Sequence, residues 1–183
     1  MKPIRIKFFL AAILVTLIFS GCGNAPTEEK KAEPTASSGT DLMKEAPAYD
    51  KTKIDPKAPI TTITLKTMGN TMTDMSYDQR NLKVKEGSTI KLTLINTAKD
   101  AAMIHNFVLI EEGTADKVGP AGVTSGPDKN FTPDLKEVLV ATPTIGPGKE
   151  TSITFPAPPK GVYDFICTYP GHYKMMNGKL TVE

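Results

Sequence analysis

The feature that most constrains the fold is a series of short runs, between residues 59 and 183, in which apolar and polar residues alternate. Side chains of a β-strand point to opposite faces in turn, so each run predicts a strand with one buried face. Gly, Pro and Asn residues, which favour turns, separate the runs. The runs lie at residues 60–65, 82–85, 89–95, 107–110, 138–140, 151–155, 161–167 and 179–182. They predict an all-β sandwich or barrel of about seven or eight strands.

The segment from Thr114 to Asp134 interrupts this pattern because it consists mainly of small residues without alternation. Its turn-forming residues are Gly119, Pro120, Gly122, Gly126 and Pro127. Such a composition fits poorly in a strand. We therefore predict an inserted loop over residues 114–134 that includes a helical turn.

The first 22 residues have the layout of a targeting signal. A basic start is followed by an apolar run at residues 8–19, which is too short for a membrane span of about 20 residues. Ser20 and Gly21 before Cys22 resemble the lipobox of bacterial lipoproteins, a resemblance that implies acylation of Cys22. We expect a signal peptide at residues 1–21 and a lipid-anchored protein outside the cytoplasm. Ordinary signal cleavage and an uncleaved anchor are the alternatives.

Residues 22–58 are expected to be the lipidated cysteine plus a disordered linker, followed by one domain at 59–183. The linker is rich in Pro, Ala, Thr, Ser, Glu and Lys, and it has too few large apolar residues to offset the entropy of ordering. Docking of residues 41–44 or of Tyr49 on the domain is the alternative. The net charge is +2, and the three basic residues of the signal alone contribute +3. The rest of the chain is therefore not basic, and nothing suggests nucleic-acid binding.

The predicted domain contains the only two histidines, His105 and His172, and a single cysteine, Cys167. His172 follows Cys167 by five positions and Met176 follows His172 by four, so one loop carries three candidate ligands. A thiolate, two imidazoles and a thioether are the donors of a blue-copper site, whereas a structural zinc site uses four closer ligands. We predict one copper ion. A Cys–His nucleophile pair and a disulfide with Cys22 are the alternatives.

Residues 167–178 resemble the copper loop of azurins and auracyanins, within the cupredoxin family, and residues 103–109 resemble its first-ligand segment. A weaker resemblance extends over residues 59–183, including 75–77. It implies a Greek-key cupredoxin domain with three equatorial copper ligands, His105, Cys167 and His172. The axial ligand would be Met176, which stands two positions before Gly178 as the family's axial Met does before a Gly, and Met175 is its rival.

The resemblance also implies roles for neighbouring residues. Asn106 would join the two ligand segments, and the backbone N–H of Tyr169 would donate to the Cys167 sulfur. Ile104 stands where azurins have a Gly whose carbonyl faces the metal opposite the Met. His172 would be the electron port within an exposed apolar docking patch. The candidates for this patch are His172, Met103, Met75, Pro170 and Tyr173.

Together these features predict a blue copper electron carrier, not an enzyme. It would be a monomer that docks transiently with a redox donor and a redox acceptor at the extracytoplasmic or periplasmic membrane surface. Copper storage or delivery is the second interpretation, because thioethers suit Cu(I). The methionines concerned are Met68, Met72, Met75, Met103, Met175 and Met176. A copper oxidase or reductase would need an open coordination position or a second metal.

Overall fold

A computed structural model describes residues 49–183. The predicted signal peptide, the lipidation site Cys22 and most of the predicted linker lie outside the described residues. The strands, in chain order, are β1 (Ile60–Met68), β2 (Ser76–Tyr77), β3 (Asn81–Val84), β4 (Thr89–Asn96), β5 (Val108–Glu111), β6 (Val138–Ala141), β7 (Glu150–Pro156), β8 (Gly161–Ile166) and β9 (Asn177–Val182). Helix α1 (Ala115–Ser125) and a 3-10 turn (Pro127–Lys129) lie between β5 and β6.

The strands form two sheets. One has the order β2-β1-β4-β7 and the other β3-β9-β8-β5-β6, with parallel pairing only between β1 and β4 and between β3 and β9 among the described strands. The all-β class and the helical insertion are confirmed. Each of the eight predicted runs overlaps a strand, and a ninth appears because Ser76 and Tyr77 pair with the end of β1. A two-residue strand is too short to produce an alternating run.

The core lies between the sheets and takes side chains from both. In β1 the inward residues Ile63, Leu65 and Thr67 are buried while their neighbours are exposed, as period two requires. The chain has no Trp, and the largest fully buried side chains are Phe107, Phe155 and Phe165. Burying a side chain of this size contributes roughly 1.5–3 kcal/mol, so the sandwich forms a firm scaffold for its loops.

The N-terminal part of the described chain differs from the expectation of a fully disordered linker. Tyr49 packs against the core, and its hydroxyl donates to the Pro156 carbonyl at 2.8 Å. Tyr49 therefore docks on the domain, as the alternative interpretation of the linker predicted. The ordered chain extends at least ten residues before residue 59. Among the residues described, there is no helix with the length and apolar character that a membrane crossing needs.

The pairing of β5 with β8 positions the predicted site. These strands are antiparallel, and Val108 at the start of β5 pairs with Ile166 at the end of β8. The residues just before Val108 and just after Ile166 therefore lie at the same end of the sheet. This register brings His105 next to the loop that begins at Cys167.

Candidate metal centre

Two backbone hydrogen bonds to Ile145 hold His105 in place. Its N–H donates to the Ile145 carbonyl at 3.0 Å, and the Ile145 N–H donates to the His105 carbonyl at 2.8 Å. This isolated bridge continues the ladder beyond the ends of the strands. The ring is buried, so its position is fixed by both backbone pairing and packing.

The loop between β8 and β9, residues 167–176, closes on itself through its own backbone. The Cys167 N–H donates to the Met176 carbonyl at 3.0 Å, and the Met176 N–H donates to the His172 carbonyl at 2.8 Å. Gly171 turns the chain with φ of +82°, a left-handed conformation in which a side chain would be strained. The closed loop directs Cys167 and His172 toward the same point.

Three nitrogen and sulfur atoms meet at that point. The Cys167 Sγ lies 3.9 Å from the His105 Nδ1 and 3.7 Å from the His172 Nδ1, and the two Nδ1 atoms are 3.2 Å apart. The circle through these three atoms has a radius of about 2.1 Å, within the range of about 2.0–2.3 Å for metal bonds to imidazole and thiolate. One ion in their plane could therefore bond to all three.

Burial determines the charge state of these donors. Burial raises the pKa of the Cys167 thiol to about 12, and the backbone N–H groups of Asn106 and Tyr169 oppose this rise in pKa. Burial lowers the pKa of His172 to about 4; burial and repulsion from His172 do the same for His105. At neutral pH both imidazoles are thus neutral and ready to bind, and only the thiol must lose a proton to a bound cation.

The two methionines of the loop differ in environment. Met176 is fully buried in the same core cluster as Cys167, whereas Met175 is 38% exposed. The Met175 carbonyl accepts a hydrogen bond from the Arg80 guanidinium at 3.0 Å, on the outer side of the loop. The burial of Met176 beside Cys167 favours it over Met175 as the fourth donor.

Asn106 links the two segments that carry the donors. Its Nδ2 donates to the Thr168 hydroxyl at 2.9 Å and to the Asn130 carbonyl at 3.0 Å, and its Oδ1 accepts from the Thr168 N–H at 2.9 Å. Asn106 and Thr168 follow His105 and Cys167 directly, so these bonds fix the spacing of the ligands. Ile104 is half-buried, and its N–H donates to the Ala102 carbonyl at 3.0 Å.

The residues predicted to form an exposed docking patch are not all at the surface. Met75 and Met103 are only 1% and 4% exposed, and His172 is 1% exposed. These three residues therefore give almost no accessible surface, which corrects the expectation that they are exposed. Pro170 and Tyr173 are half-buried. The exposed methionine beside the loop is Met72, whose Cε lies against Gly171.

Sequence reasoning missed three groups that support the site. Thr168 provides two of the three hydrogen-bond partners of the Asn106 side chain. Asn96, at the end of β4, donates to the carbonyls of Met103 and Ile145 at 2.8 and 3.0 Å, on both sides of the His105 bridge. The buried Tyr77 hydroxyl donates to the Asn106 carbonyl at 2.6 Å. Of these three residues only Asn96 has a recognisable sequence signal, because it is a polar residue at the end of an apolar strand.

Comparison with known proteins agrees with this geometry. Residues 63–183 match the model of copper binding proteins of the plastocyanin/azurin family. The chain belongs to this family. Its cofactor is copper, and the predicted resemblance of the chain to azurins and auracyanins is confirmed. Among the described His, Cys, Asp and Glu residues, His105, Cys167 and His172 are the group whose donor atoms cluster closely enough for a metal ion, all within 4.8 Å.

The relatives come from several bacteria. Auracyanin-A of Chloroflexus aurantiacus is 36% identical over 119 residues, covering 63% of this chain and 72% of that protein. Azurin iso-2 of Methylomonas sp. (strain J) is 35% identical over 124 residues, covering 64% and 94%. Outer membrane protein H.8 of Neisseria gonorrhoeae is 35% identical over 115 residues, covering 60% and 62%. The structure of dithionite-reduced auracyanin from Roseiflexus castenholzii superposes with a TM-score of 0.61 at 37% identity, covering 69% and 99%.

Proposed function

We propose that the chain is a blue copper electron carrier in which His105, Cys167 and His172 hold one copper ion and Met176 is a weak axial ligand. The observation that carries the proposal is the close grouping of one sulfur and two nitrogen atoms. The circle through these three atoms has a radius of about 2.1 Å. Bound copper would supply one-electron chemistry by alternating between Cu(II) and Cu(I). The donor set supports this assignment because two His and one Cys with an axial Met describe blue-copper sites.

The protein's contribution is to keep the donors still. Backbone bridges hold His105 and the loop, and Asn106 joins them, so the donor spacing changes little between oxidation states. Cys167 gives up its proton once, when metal binds, and the neutral imidazoles lose none. We propose His172 as the ligand through which electrons enter and leave, because it follows the exposed Gly171 in the chain although its own side chain is only 1% exposed.

Copper delivery is the second candidate, supported by the exposed thioethers of Met68, Met72 and Met175. The two functions differ in how firmly Cu(I) is held. We expect the reduced protein to retain its copper for hours against a colourless Cu(I) chelator and to turn blue again on reoxidation. Rapid transfer of Cu(I) to the chelator would instead support delivery and contradict the carrier.

The axial assignment can be tested with a matched pair of variants. We expect Met176→Leu to raise the reduction potential by tens of millivolts or more, because loss of the thioether disfavours Cu(II). Met175→Leu, the same exchange one position away on an exposed side chain, should leave the potential nearly unchanged. Voltammetry of both copper proteins measures this. A larger shift in Met175→Leu would reverse the assignment.

We further propose that the mature protein is exported and anchored by lipid at Cys22, where it meets a redox donor and a redox acceptor. The layout of residues 1–22 supports this, as does the similarity to a protein named outer membrane protein H.8. Cys22→Ser should move the protein from the membrane fraction to the soluble fraction without changing its colour. Unchanged membrane association would contradict the anchor.

A further inference from the structure

We infer that residues 115–131, which include α1 and the turn after it, set the geometry of the copper site from outside the ligand set, with Gly119 and Gly122 as positioning residues. The inference rests on the proposed function, since it concerns the shape of the proposed ligand loop. No residue of this segment is proposed as a copper ligand. Three of the loop residues that it contacts are Thr168, Tyr169 and Tyr173, each adjacent to a proposed ligand or packed on one.

The first contact joins Gly119 and Tyr173. A Cβ atom at Gly119 would lie 2.7 Å from both Cδ atoms of the Tyr173 ring, closer than such carbons approach in proteins. The ring therefore lies directly on the helix backbone. Tyr173 follows His172, so any side chain at position 119 must displace either α1 or the residue next to a ligand.

The second contact joins Gly122 and Thr168. A Cβ atom at Gly122 would lie 2.7 Å from the Thr168 Cβ and 2.6 Å from the Phe131 carbonyl oxygen. Thr168 follows Cys167 and is the partner of Asn106 in two hydrogen bonds. Because Thr168 is only 1% exposed, it has no free space into which to retreat.

The third contact joins two aromatic rings. The Phe131 ring packs edge-on against the Tyr169 ring at 4.9 Å between centroids, and the Tyr169 ring lies 4.9 Å from the His172 ring. Phe131 and Asn130 have φ of 55° and 52°, in the left-handed region that is unfavourable for a residue with a Cβ atom. The Asn130 carbonyl accepts from Asn106, so this strained turn contacts both ligand segments.

The sequence of α1 is poorly suited to a helix on its own. Its 11 residues include Gly119, Pro120 and Gly122 in the interior, where Gly and Pro are the two least favourable residues for a helix. Packing must supply the missing stability, and Val118, Gly119 and Gly122 are its buried residues. Both glycines that weaken the helix are thus the residues that let it approach the loop.

Because the glycines lower the stability of α1, the two interpretations predict different effects of replacing them by Ala. If the glycines were ordinary helix residues, replacement by Ala would stabilise the helix and leave the copper site unchanged. If they are positioning residues, Ala should shift Tyr173 or Thr168 and with them the geometry of the donors. Gly146→Ala is the matched control, because a Cβ there meets nothing within 4 Å.

The experiment compares Gly119→Ala, Gly122→Ala and Gly146→Ala in two ways. In the metal-free protein we expect the buried Cys167 thiol to react with an aromatic disulfide reagent roughly tenfold faster in the first two variants, the factor given by about 1.4 kcal/mol of local opening. In the copper protein we expect altered relative intensities of the visible bands and a shifted reduction potential. Gly146→Ala should match the parent in both.

A double-variant test shows whether Gly119 acts through the ring. Tyr173→Leu removes the ring on which a Cβ would clash, so adding Gly119→Ala to it should cause little further change. If Gly119→Ala alone fails to fold, the pair must recover folding. The inference is overturned if both glycine variants match Gly146→Ala, if the Gly119→Ala effect is equally large without the ring, or if the pair stays unfolded.

Failure of this inference and failure of the proposed function give different results. A parent protein that develops no colour with Cu(II) contradicts the function, whereas the thiol reaction of the metal-free variants still tests the contacts. A coloured parent whose Gly119→Ala and Gly122→Ala variants have unchanged spectra and thiol rates contradicts only the inference.

Discussion

Cys167→Ser is expected to fold but to develop no intense visible colour with Cu(II). The proposed colour comes from charge transfer between a thiolate sulfur and copper, and a serine hydroxyl is a hard, protonated donor that cannot replace it. The exchange is nearly isosteric at a fully buried position, so the fold should persist. The measurement is the visible spectrum after one equivalent of Cu(II), with circular dichroism to confirm folding.

Cys22→Ser is the matched control, because it makes the same exchange at the other cysteine of the chain, outside the domain. It should retain the full colour. A Cys167→Ser protein that still turns blue would show that Cys167 does not bind the metal, and it would refute the ligand set proposed here.

Asn106→Leu is expected to lower the free energy of unfolding of the metal-free domain by about 3–5 kcal/mol, because it leaves two buried polar groups and one half-buried polar group without partners. These groups are the N–H and hydroxyl of Thr168 and the carbonyl of Asn130. Leu branches at Cγ as Asn does but is larger, so the exchange leaves no cavity and any crowding adds to the loss. Denaturant unfolding of the metal-free protein measures the change.

Asn81→Leu provides the control. Asn81 is exposed on β3, so the same exchange there leaves no buried polar group without a partner. It should change the free energy of unfolding by less than about 0.5 kcal/mol. Equal effects of the two substitutions would mean that Asn106 does not hold the ligand segments together. A loss in Asn106→Leu that is restored in Asn106→Asp would indicate that its Oδ1 bond to the Thr168 N–H matters most.

The strands were predictable because their signal is local. Alternation in runs such as residues 89–95 follows from one buried face, and the structure confirms each such run. The two-residue β2 depends instead on pairing with β1, which no local pattern reveals. The same applies to Tyr49, whose docking depends on the distant Pro156 carbonyl. A composition typical of disorder cannot show that one aromatic residue finds a partner.

The clustering of His105, Cys167 and His172 was predictable for a different reason. The domain has only two histidines and one cysteine, and the structure brings all three together. The surroundings were harder, because apolar residues in loops can face either solvent or core. Met75 and Met103 are buried, whereas Met72 remains exposed beside Gly171. The role inferred for α1 depends on close approach of glycines to the loop, which spacing alone does not indicate.

Reversible redox cycling of the purified domain tests the central claim most directly. One equivalent of Cu(II) should produce an intense blue or green colour that saturates at one copper per chain. The colour should bleach on addition of one electron per copper and return in full on reoxidation over repeated cycles. A protein that stays colourless with Cu(II), saturates at another stoichiometry, or loses its copper on reduction would contradict the proposal that this chain is a one-copper electron carrier.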